Sequence, residues 1–299
     1  MIFIGIDGGG TKTKFTAFSE EGDELDSLVL GSCHFMQVND EAMKLILKEG
    51  IETLCKQYSN KEFFVCAGMG GYGRDERIRK RIEAVYQTIL PCGNYKLYSD
   101  AEIAVAGALG SHEGIVVIAG TGSIAFSKID NQFNRAGGWG YILGDEGSAY
   151  WLGKKALSIF CKEADGRLPK GALYTCFMDH FQLERDFDLI MVANEKLTTR
   201  TDIASLSKIV YQAALLHDEN AIQLFKEAAD ELVSLIDALN VKEKSLKVSY
   251  VGGLFAEKDI LIPMIQSQLN DNLTLIEPAF NPEKGSYLLG YIEIFSTSR

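Results

Sequence analysis

Proline and closely spaced cysteines are what this 299-residue chain has least of. It contains 5 prolines against 29 glycines, so its turns must rely on glycine, which also lets the backbone approach a ligand closely. Its 6 cysteines are scattered, and no C-x-x-C pair occurs, which excludes a disulfide-stapled secreted domain and a zinc ribbon. Free thiols of this kind are typical of a reducing cytosol.

Positive charge is scarce as well, since 30 basic residues face 41 acidic ones and give a formal net charge of −11. No stretch rich in lysine or arginine offsets this field, which repels the phosphate backbone of nucleic acids. Nucleic-acid binding is therefore not expected. A small phosphorylated ligand is compatible with this charge, because loop N–H groups and a metal ion bind phosphate without a positive field.

Long apolar runs are also missing. The first run, from Met1 to Ile6, has no basic residue before it and ends at Asp7, so it is too short for a signal peptide. No other segment approaches the ~20 apolar residues of a membrane-spanning helix. We therefore expect a cytoplasmic protein without a membrane partner.

The first third of the chain alternates between strands and helices. Apolar patterns at Ile2–Asp7 and Lys12–Ser19 predict a β-hairpin, and a third strand follows at Leu25–Leu30. Helical spacing then predicts helices at 40–58, 75–90 and 101–109, separated by strands at 63–67 and 95–98. The result is a βββαβα-like unit of about 110 residues, an ordinary size for a domain.

The pattern restarts at residue 114. A strand at 114–119, a glycine turn and a strand at 123–129 imitate the first hairpin, which indicates two related halves. Further helices are predicted at 146–162, 201–215, 220–239, 257–269 and 285–295, with a strand at 247–251.

The turn of the first hairpin combines glycines with groups that bind anions: Gly8, Gly9, Gly10, Thr11 and Lys12. Bare backbone lets several N–H groups converge on one phosphate, and we expect this turn to need the free φ of glycine. Asp7, at the end of the strand, is placed to hold Mg²⁺ through water. A plain hairpin turn is the alternative, although such turns need only one or two glycines.

A second loop repeats this chemistry after the strand at 114–119, with Gly120, Thr121, Gly122 and Ser123. Glycine turns are frequent, so an ordinary turn also explains this loop when it is considered alone. Together with the first loop, it would bind one polyphosphate from two sides.

Asp100 stands between a predicted strand and a predicted helix. A kinase needs a carboxylate within hydrogen-bond reach of the acceptor hydroxyl, to orient that hydroxyl and take its proton. An aspartate at this place is also well suited to cap the helix, and the residues alone favour the cap.

Acidic, glycine and aromatic residues are concentrated at 137–151. The stretch contains Gly138, Trp139 and Asp145, and carboxylates beside aromatic rings are a common way to bind sugars. A loop followed by a capped helix is the alternative, because Asp145 and Glu146 also suit a helix N-terminus.

Two further glycines, Gly252 and Gly253, end a later strand. Bare backbone there would let an adenine ring lie against the chain, and a tight strand–helix turn is the alternative.

Taken in order, these five segments resemble the sugar-kinase, heat-shock-protein and actin ATPase superfamily, and more closely its N-acetylglucosamine kinase and BadF/BadG-type branch. The stretch Gly-Gly-Trp-Gly and then Gly-Asp-Glu-Gly-Ser-Ala-Tyr-Trp at 137–151 carries most of the resemblance, which extends from residue 1 to roughly residue 290. It implies an α/β fold of two ribonuclease-H-like, actin-like ATPase domains with a cleft between them. The domains would cover 1–112 and 113–284, the second with a helical insertion, and a last helix near 285–299 would pack back on the first.

The same resemblance implies a role for each segment. Asp100 would be the catalytic base and Asp7 would bind Mg²⁺. The two glycine loops would bind the phosphates of ATP, Gly252 and Gly253 the adenosine, and Gly138, Trp139 and Asp145 the sugar. The implied reaction is ATP-dependent phosphorylation of a hydroxyl of an amino sugar, N-acetylglucosamine or a relative such as glucosamine or N-acetylmuramic acid.

One segment departs from the pattern of these relatives. Where the vertebrate-like kinases have Ser-Thr-Asn-His after the third strand, this chain has Gly31, Ser32, Cys33 and His34. Cys33 and His34 are therefore expected at the sugar, but a thiol stands in place of an amide that both donates and accepts. The identity of the sugar stays open on this basis.

Two other functions remain open. An ATPase activator of a radical dehydratase belongs to the same branch, but it would use clustered cysteines for an iron–sulfur cluster. A chaperone-like or actin-like ATP-binding module would not need the segment from Trp139 to Trp151. The expected partner is a small amino sugar, and formation of a homodimer is left undecided.

Overall fold

The computed structural model describes residues 1–73, 75–110, 112–130 and 132–296. The chain divides into two compact units, one made of Met1–His112 with Glu277–Arg299 and the other of Glu113–Ile276. Each unit is built around a five-stranded mixed sheet. Along the described residues, no helix is long and apolar enough to span a lipid bilayer.

The first unit begins with the predicted hairpin. Its strands are β1 (Ile2–Gly8), β2 (Lys12–Phe18), β3 (Glu24–Gly31), β4 (Phe63–Met69) and β5 (Tyr95–Ser99). Its helices are α1 (Asp40–Gln57), α2 (Glu76–Ile89), α3 (Asp100–Leu109) and, near the end of the chain, α11 (Pro282–Ser296). The sheet order is β3-β2-β1-β4-β5, with antiparallel pairing in the β1–β2–β3 part and parallel pairing of β1, β4 and β5.

The two faces of β1 have different partners, as the two-residue period of a strand requires. Ile2, Ile4 and Ile6 enter the core that α1 and α2 cover. Phe3 points the other way and meets Tyr287 of α11, with ring centroids 5.3 Å apart. Asp7 continues this second face.

The second unit repeats the sheet. Its strands are β6 (Gly114–Ala119), β7 (Ser123–Ile129), β8 (Gln132–Gly137), β9 (Leu246–Val251) and β10 (Leu273–Leu275). The order β10-β9-β6-β7-β8 is that of the first sheet read from the opposite end, with β6 in the place of β1. The predicted relation between the two halves is therefore confirmed in their strand order.

Most helices of the second unit lie between β8 and β9. They are α4 (Ala149–Ala164), α5 (Ala172–Phe181), α6 (Leu189–Lys196), α7 (Arg200–Ser205), α8 (Ser207–Leu215) and α9 (Glu219–Asp237), and α10 (Lys258–Gln266) follows β9. The sequence patterns do not predict α5, α6, β8 or β10. These elements are short, so each offers few periods of the apolar pattern, and β8 and β10 are edge strands.

Helix α4 begins at Ala149 instead of Glu146, where the sequence pattern predicts its start. Gly147 has a φ of 72°, which no helix contains. The side chain of Ser148 accepts a hydrogen bond from the N–H of Trp151 at 3.2 Å. Ser148 is thus the N-cap, and Asp145 and Glu146 belong to the preceding loop.

Helices α3 and α11 approach each other closely, and Gly285 sits at their contact. A Cβ on Gly285 would overlap the carbonyl oxygen of Ile103 and lie 2.5 Å from the amide nitrogen of Gly107. We expect Gly285→Ala to lower the free energy of unfolding by about 1–3 kcal/mol, because backbone atoms of α3 cannot rotate out of the way. The midpoint of urea unfolding, followed by circular dichroism, measures this loss.

Gly31→Ala is the matched control, since no atom lies within 4 Å of a Cβ built at Gly31. It should change the free energy of unfolding by less than about 0.5 kcal/mol. Equal midpoints for the two variants would contradict the close contact of α3 with α11.

Candidate active site

The predicted metal ligand and the predicted base lie at the same edge of the first sheet. Asp7 of β1 stands opposite Gly68 of β4, and Gly68 stands opposite Tyr98 of β5. Asp100 follows two residues after Tyr98, and its charge raises the pKa of Asp7. The structure thus brings Asp7 and Asp100 together at the carboxyl ends of parallel strands, where open α/β sheets bind ligands.

Asp7 carries a carboxyl group that is difficult to ionise. The pKa of Asp7 is raised to about 6, chiefly by burial and then by the negative charges of Glu283 and Asp100, which outweigh the opposing effect of Lys12 and Lys14. Glu283, on α11, is itself buried and pairs with Lys14 at 3.3 Å. A positive ion beside Asp7 would relieve both the burial and the repulsion.

The donor set near Asp7 fits Mg²⁺ that arrives with a nucleotide. Within the described ranges, no group of three or more histidine, cysteine or acidic side chains could hold a metal ion alone. Mg²⁺ is commonly held by one or two carboxylates together with substrate phosphates and water. Asp7 would supply such a carboxylate, as its sequence position predicts.

Asp100 is not the cap of α3, so that alternative is wrong. Ser99 is the N-cap: its hydroxyl accepts the N–H of Glu102 at 3.1 Å, and the Glu102 carboxylate accepts the N–H of Ser99 at 2.7 Å. The Asp100 carboxylate accepts the N–H of the adjacent Ala101 at 3.0 Å instead of an N–H two or three residues further on. Its carboxylate is therefore not required for the start of the helix.

The surroundings of Asp100 suit a base. Solvent reaches the side chain, but the surrounding protein removes part of its hydration. This desolvation raises the pKa of Asp100 above the ordinary aspartate value, and nearby His34 opposes the rise. Partial burial lowers the pKa of His34 in turn. Nδ1 of His34 accepts the N–H of Met36 at 3.3 Å, so the proton of the neutral ring is on Nε2.

Ser32 is a site residue that the sequence analysis does not single out. Its hydroxyl donates to the carbonyl of Gly9 at 3.0 Å and accepts the N–H of His34 at 3.1 Å. One side chain therefore links the first glycine loop to the segment that carries His34. Its place in the sequence could have indicated this role, because Ser32 is a hydroxyl residue within the segment that is expected at the sugar.

The first loop does not use its glycines as expected. None of Gly8, Gly9 and Gly10 has a positive φ, so the expectation that the turn needs free φ angles is wrong. Gly8 is packed, since a Cβ there would lie 3.0 Å from Sγ of Cys33. A Cβ on Gly9 would meet nothing closer than the carbonyl of Lys12 at 3.4 Å, and Gly10 is equally open. Neither packing nor backbone conformation explains Gly9 and Gly10.

Cys33 lies beneath this loop and has no exposed surface. Its N–H donates to Oγ1 of Thr13 at 3.1 Å, and burial raises the pKa of its thiol to about 11. These contacts favour a role in supporting Gly8, and the contact of Cys33 with a sugar stays a prediction.

In the second unit, the second loop is joined to the start of α4. Gly120 donates to the carbonyl of Gly122 at 2.8 Å and accepts the N–H of Ala149 at 2.9 Å. The hydroxyl of Ser123 is buried and donates to the carbonyl of Glu146 at 2.5 Å. The structure thus brings the predicted phosphate loop to the predicted sugar segment, but it engages the Ser123 hydroxyl internally.

Asp145 is the most buried acid of that segment, at 5% exposure, with a φ of 62°. Its Oδ2 pairs with Arg200 of α7 at 2.6 Å, a partner that the sequence analysis misses. Trp139 is 66% exposed, with the guanidinium of Arg135 lying 5.1 Å from the centre of its ring. Gly138 has a φ of 68°, so its glycine serves the turn itself.

Of the two glycines at the end of β9, the fold explains Gly252 but not Gly253. Gly252 has a φ of 119°, and a Cβ there would overlap the carbonyl oxygen of Ala119, so the tight turn explains it. Gly253 has no atom within 4 Å of a Cβ position. The open space there leaves room for a flat ligand, and the binding of adenosine stays a prediction.

Residues 4–290 match the sequence model of one protein family, described as the BadF/BadG/BcrA/BcrD ATPase family. The chain belongs to this family. Since the match covers nearly the whole chain, both units are part of the family's architecture.

Curated relatives of the chain are kinases. The N-acetylmuramic acid/N-acetylglucosamine kinase of Clostridium acetobutylicum is 33% identical over 277 residues, which are 90% of each protein. The N-acetyl-D-glucosamine kinase of Dictyostelium discoideum is 31% identical over 310 residues, covering 96% of this chain and 97% of that one. A solved structure from Chromobacterium violaceum, assigned as an N-acetylglucosamine kinase, superposes with a TM-score of 0.77 at 27% identity, over 97% and 98% of the two chains.

These likenesses confirm the predicted fold, two ribonuclease-H-like α/β domains of the actin-like ATPase kind. They also confirm the predicted class of enzyme, an ATP-using kinase. The roles of the individual site residues stay predictions.

The raised pKa of Asp7 implies that this residue destabilises the folded chain at high pH. Ionising Asp7 costs more in the folded than in the unfolded chain, because its pKa rises from 3.8 to about 6 on folding. The cost is absent where both states are protonated, below about pH 4, and is complete above about pH 6. Asp7→Asn should therefore stabilise the protein by about 1–3 kcal/mol at pH 8 and hardly at all at pH 4.

Thermal unfolding of both proteins at the two pH values measures this difference. Asp271→Asn, in an exposed turn, is the matched control and should give no gain at either pH. A stability of Asp7→Asn equal to that of the natural chain at pH 8 would contradict the cost assigned to Asp7.

Because the space around Gly9 is open, a side chain there should affect ATP binding but not the stability of the fold. We expect Gly9→Val to abolish detectable ATP binding, since the side chain would occupy the space predicted for a phosphate. The free energy of unfolding should change by less than about 0.5 kcal/mol, because the site strains neither backbone nor packing. Calorimetric titration with ATP·Mg²⁺ and urea unfolding measure the two effects.

Gly73→Val is the control for this variant, since a Cβ at Gly73 also meets no atom within 4 Å. It should bind ATP as the natural chain does. Intact ATP affinity in Gly9→Val would mean that the first loop is only a hairpin turn.

Proposed function

We propose that this chain transfers the γ-phosphoryl group of ATP to a hydroxyl of an amino sugar. N-acetylglucosamine is the first candidate, and glucosamine and N-acetylmuramic acid are close relatives of it. The observation that carries the proposal is the position of Asp100, a carboxylate freed from helix capping by Ser99 and placed at the same sheet edge as Asp7. The names of the curated relatives support the acceptor class.

In this mechanism, Asp100 accepts the proton of the sugar hydroxyl while that oxygen attacks the γ-phosphorus. A bond forms between the sugar oxygen and phosphorus, the bond to the bridging oxygen of ADP breaks, and ADP leaves. The raised pKa of Asp100 makes it a better proton acceptor than an ordinary aspartate. When it is protonated, nearby His34 favours the ionised form of Asp100 that must be present before attack.

Asp7 and the glycine loops would serve the phosphates. When bound, Mg²⁺ would neutralise charge on the phosphate oxygens, and Asp7 is the residue that would hold it. Gly9 and Gly10 leave bare backbone beside Thr11 and Lys12, whose donors are exposed. Gly120 and Gly122, in the second unit, would form the other phosphate loop, and Gly253 would face the adenosine.

A panel of amino sugars in a coupled ADP-release assay tests the proposal. At least one of N-acetylglucosamine, N-acetylmuramic acid and glucosamine should raise ADP release well above the sugar-free rate, with a phosphorylated sugar as product. ATP hydrolysis that no sugar stimulates would overturn the proposal and favour the ATP-binding module or the activator.

Asp100→Asn should reduce turnover by roughly 10²–10⁴ while leaving ATP affinity nearly unchanged, because the amide keeps the shape but cannot accept the proton. Steady-state kinetics with the preferred sugar and calorimetry with ATP measure the two quantities. The control is Glu102→Gln, the same change of acid to amide in the same helix turn, where the carboxylate accepts the N–H and the hydroxyl of Ser99 and has a minor effect on the pKa of Asp100. Turnover of Asp100→Asn within a few-fold of the natural chain would rule out a base at this position.

A further inference from the structure

The acid predicted to contact the sugar has a partner with no assigned role. Oδ2 of Asp145 pairs with Nη2 of Arg200 at 2.6 Å, across 55 residues of sequence. Asp145 is 5% exposed, and a buried carboxylate without a positive partner is strongly unfavourable. Arg200 therefore provides the opposite charge beside the buried Asp145 carboxylate.

Arg200 is held in place by a rigid helix start. It is the first residue of α7, where Thr199 and Asp202 form a capping box: the Thr199 hydroxyl accepts the N–H of Asp202, and the Asp202 carboxylate accepts the N–H of Thr199. Helix α7 rests against α4 at Gly153, where any Cβ would overlap the carbonyl of Ile203. The backbone that carries Arg200 is thus fixed from two directions.

The guanidinium is positioned as firmly as its backbone. It lies 5.6 Å from the ring centre of Tyr141, and Tyr141 in turn meets Tyr150 edge-on at 5.2 Å. A Cβ on Gly122 would overlap Nη2 of Arg200 and lie 2.6 Å from Oδ2 of Asp145. Only a glycine at 122 lets the ion pair rest against the second loop.

In this position, one nitrogen of Arg200 makes no hydrogen bond within the described part of the chain. Its Nε is buried and has no hydrogen-bond partner among the described residues. A buried donor left without an acceptor is unfavourable, so the contact with Asp145 determines the orientation of the guanidinium. The ion pair uses Oδ2 of Asp145, and Oδ1 has no hydrogen bond to another described residue, so it can accept from a ligand hydroxyl.

We propose that Arg200 is a positioning residue for the acceptor sugar, which fixes the Asp145 carboxylate so that its second oxygen accepts a sugar hydroxyl. This inference rests on the proposed function. It gives a role to the helical insertion of the second unit, since α7 belongs to the segment between β8 and β9.

Kinetics of Arg200→Met and Arg200→Lys with the preferred sugar test the inference. A hydrogen bond to a charged group is lost, so we expect kcat/KM for the sugar to fall about 10- to 100-fold in Arg200→Met, mainly through KM. The KM for ATP should stay within about threefold. Arg200→Lys should recover part of the loss, because it keeps the charge but not the planar fork.

Arg185→Met is the matched control. Arg185 lies in the same insertion and pairs with Asp188 at 2.7 Å, but its side chain is 79% exposed. Its removal should leave both KM values unchanged. Thermal unfolding of all three variants separates loss of fold from loss of function, and Arg200→Lys serves if Arg200→Met does not fold.

A double-mutant cycle with Asp145→Asn distinguishes positioning from other roles. If Arg200 acts through Asp145, adding Arg200→Met to Asp145→Asn should cost far less than it costs alone. Additive losses, an unchanged sugar KM in Arg200→Met, or a raised KM for ATP alone would each overturn the inference. The last result would make Arg200 a ligand of the phosphates.

The sugar assay with the natural chain distinguishes failure of this inference from failure of the proposed function. If no amino sugar stimulates ADP release by the natural chain, the proposed function fails, and the acceptor role of Arg200 fails with it. If an amino sugar is phosphorylated and Arg200→Met keeps its sugar KM, only the positioning role fails.

Discussion

The cost of ionising Asp7 is the constraint around which the edge of the first sheet is arranged. Its carboxylate is partly buried and is repelled by two other acids, Glu283 and Asp100, and Lys14 is already paired with Glu283 at 3.3 Å. A sheet edge selected only for stability would carry an apolar or amide side chain in this position. A cation bound beside Asp7 would remove this cost of ionisation, and its binding would be strengthened by the same amount. Sites where local rules of stability fail in this way are characteristically functional.

Glycine supports the fold at some positions and leaves space for a ligand at others. Gly285 and Gly153 let helices approach, and Gly252 adopts a backbone angle that other residues rarely reach. Gly9 and Gly253 do neither, since a side chain would fit at both without a severe contact. Glycines without a structural explanation are the stronger evidence for a ligand. The composition alone, rich in glycine and poor in proline, does not separate the two kinds.

Sequence reasoning predicts what local patterns determine. The hairpins, the helices with several apolar periods and the two related sheets follow from strand and helix periodicity, and each is present. The start of α4 does not follow, because Asp145 and Glu146 resemble cap residues, and only the positive φ of Asp145 and Gly147 and the cap at Ser148 show that the helix begins later. Asp100 and Ser99 are equally good caps by residue type. Only the hydrogen bonds show that Ser99 caps the helix and Asp100 is free.

The partner of Asp145 lies beyond any local pattern, since Arg200 is 55 residues away and begins a helix of six residues. A short helix gives almost no periodic signal, and an arginine near a helix start is ordinarily a solvated residue. What makes it significant is the burial of the acid it meets, which requires a fixed counter-charge. The duplicated sheets thus supply the edges on which the loops stand, while an insertion outside the repeat supplies the positive charge beside the buried acid of the predicted sugar segment. Since this ion pair also rests against Gly122 of the second loop, the insertion is in contact with both segments for which the sequence predicts a ligand.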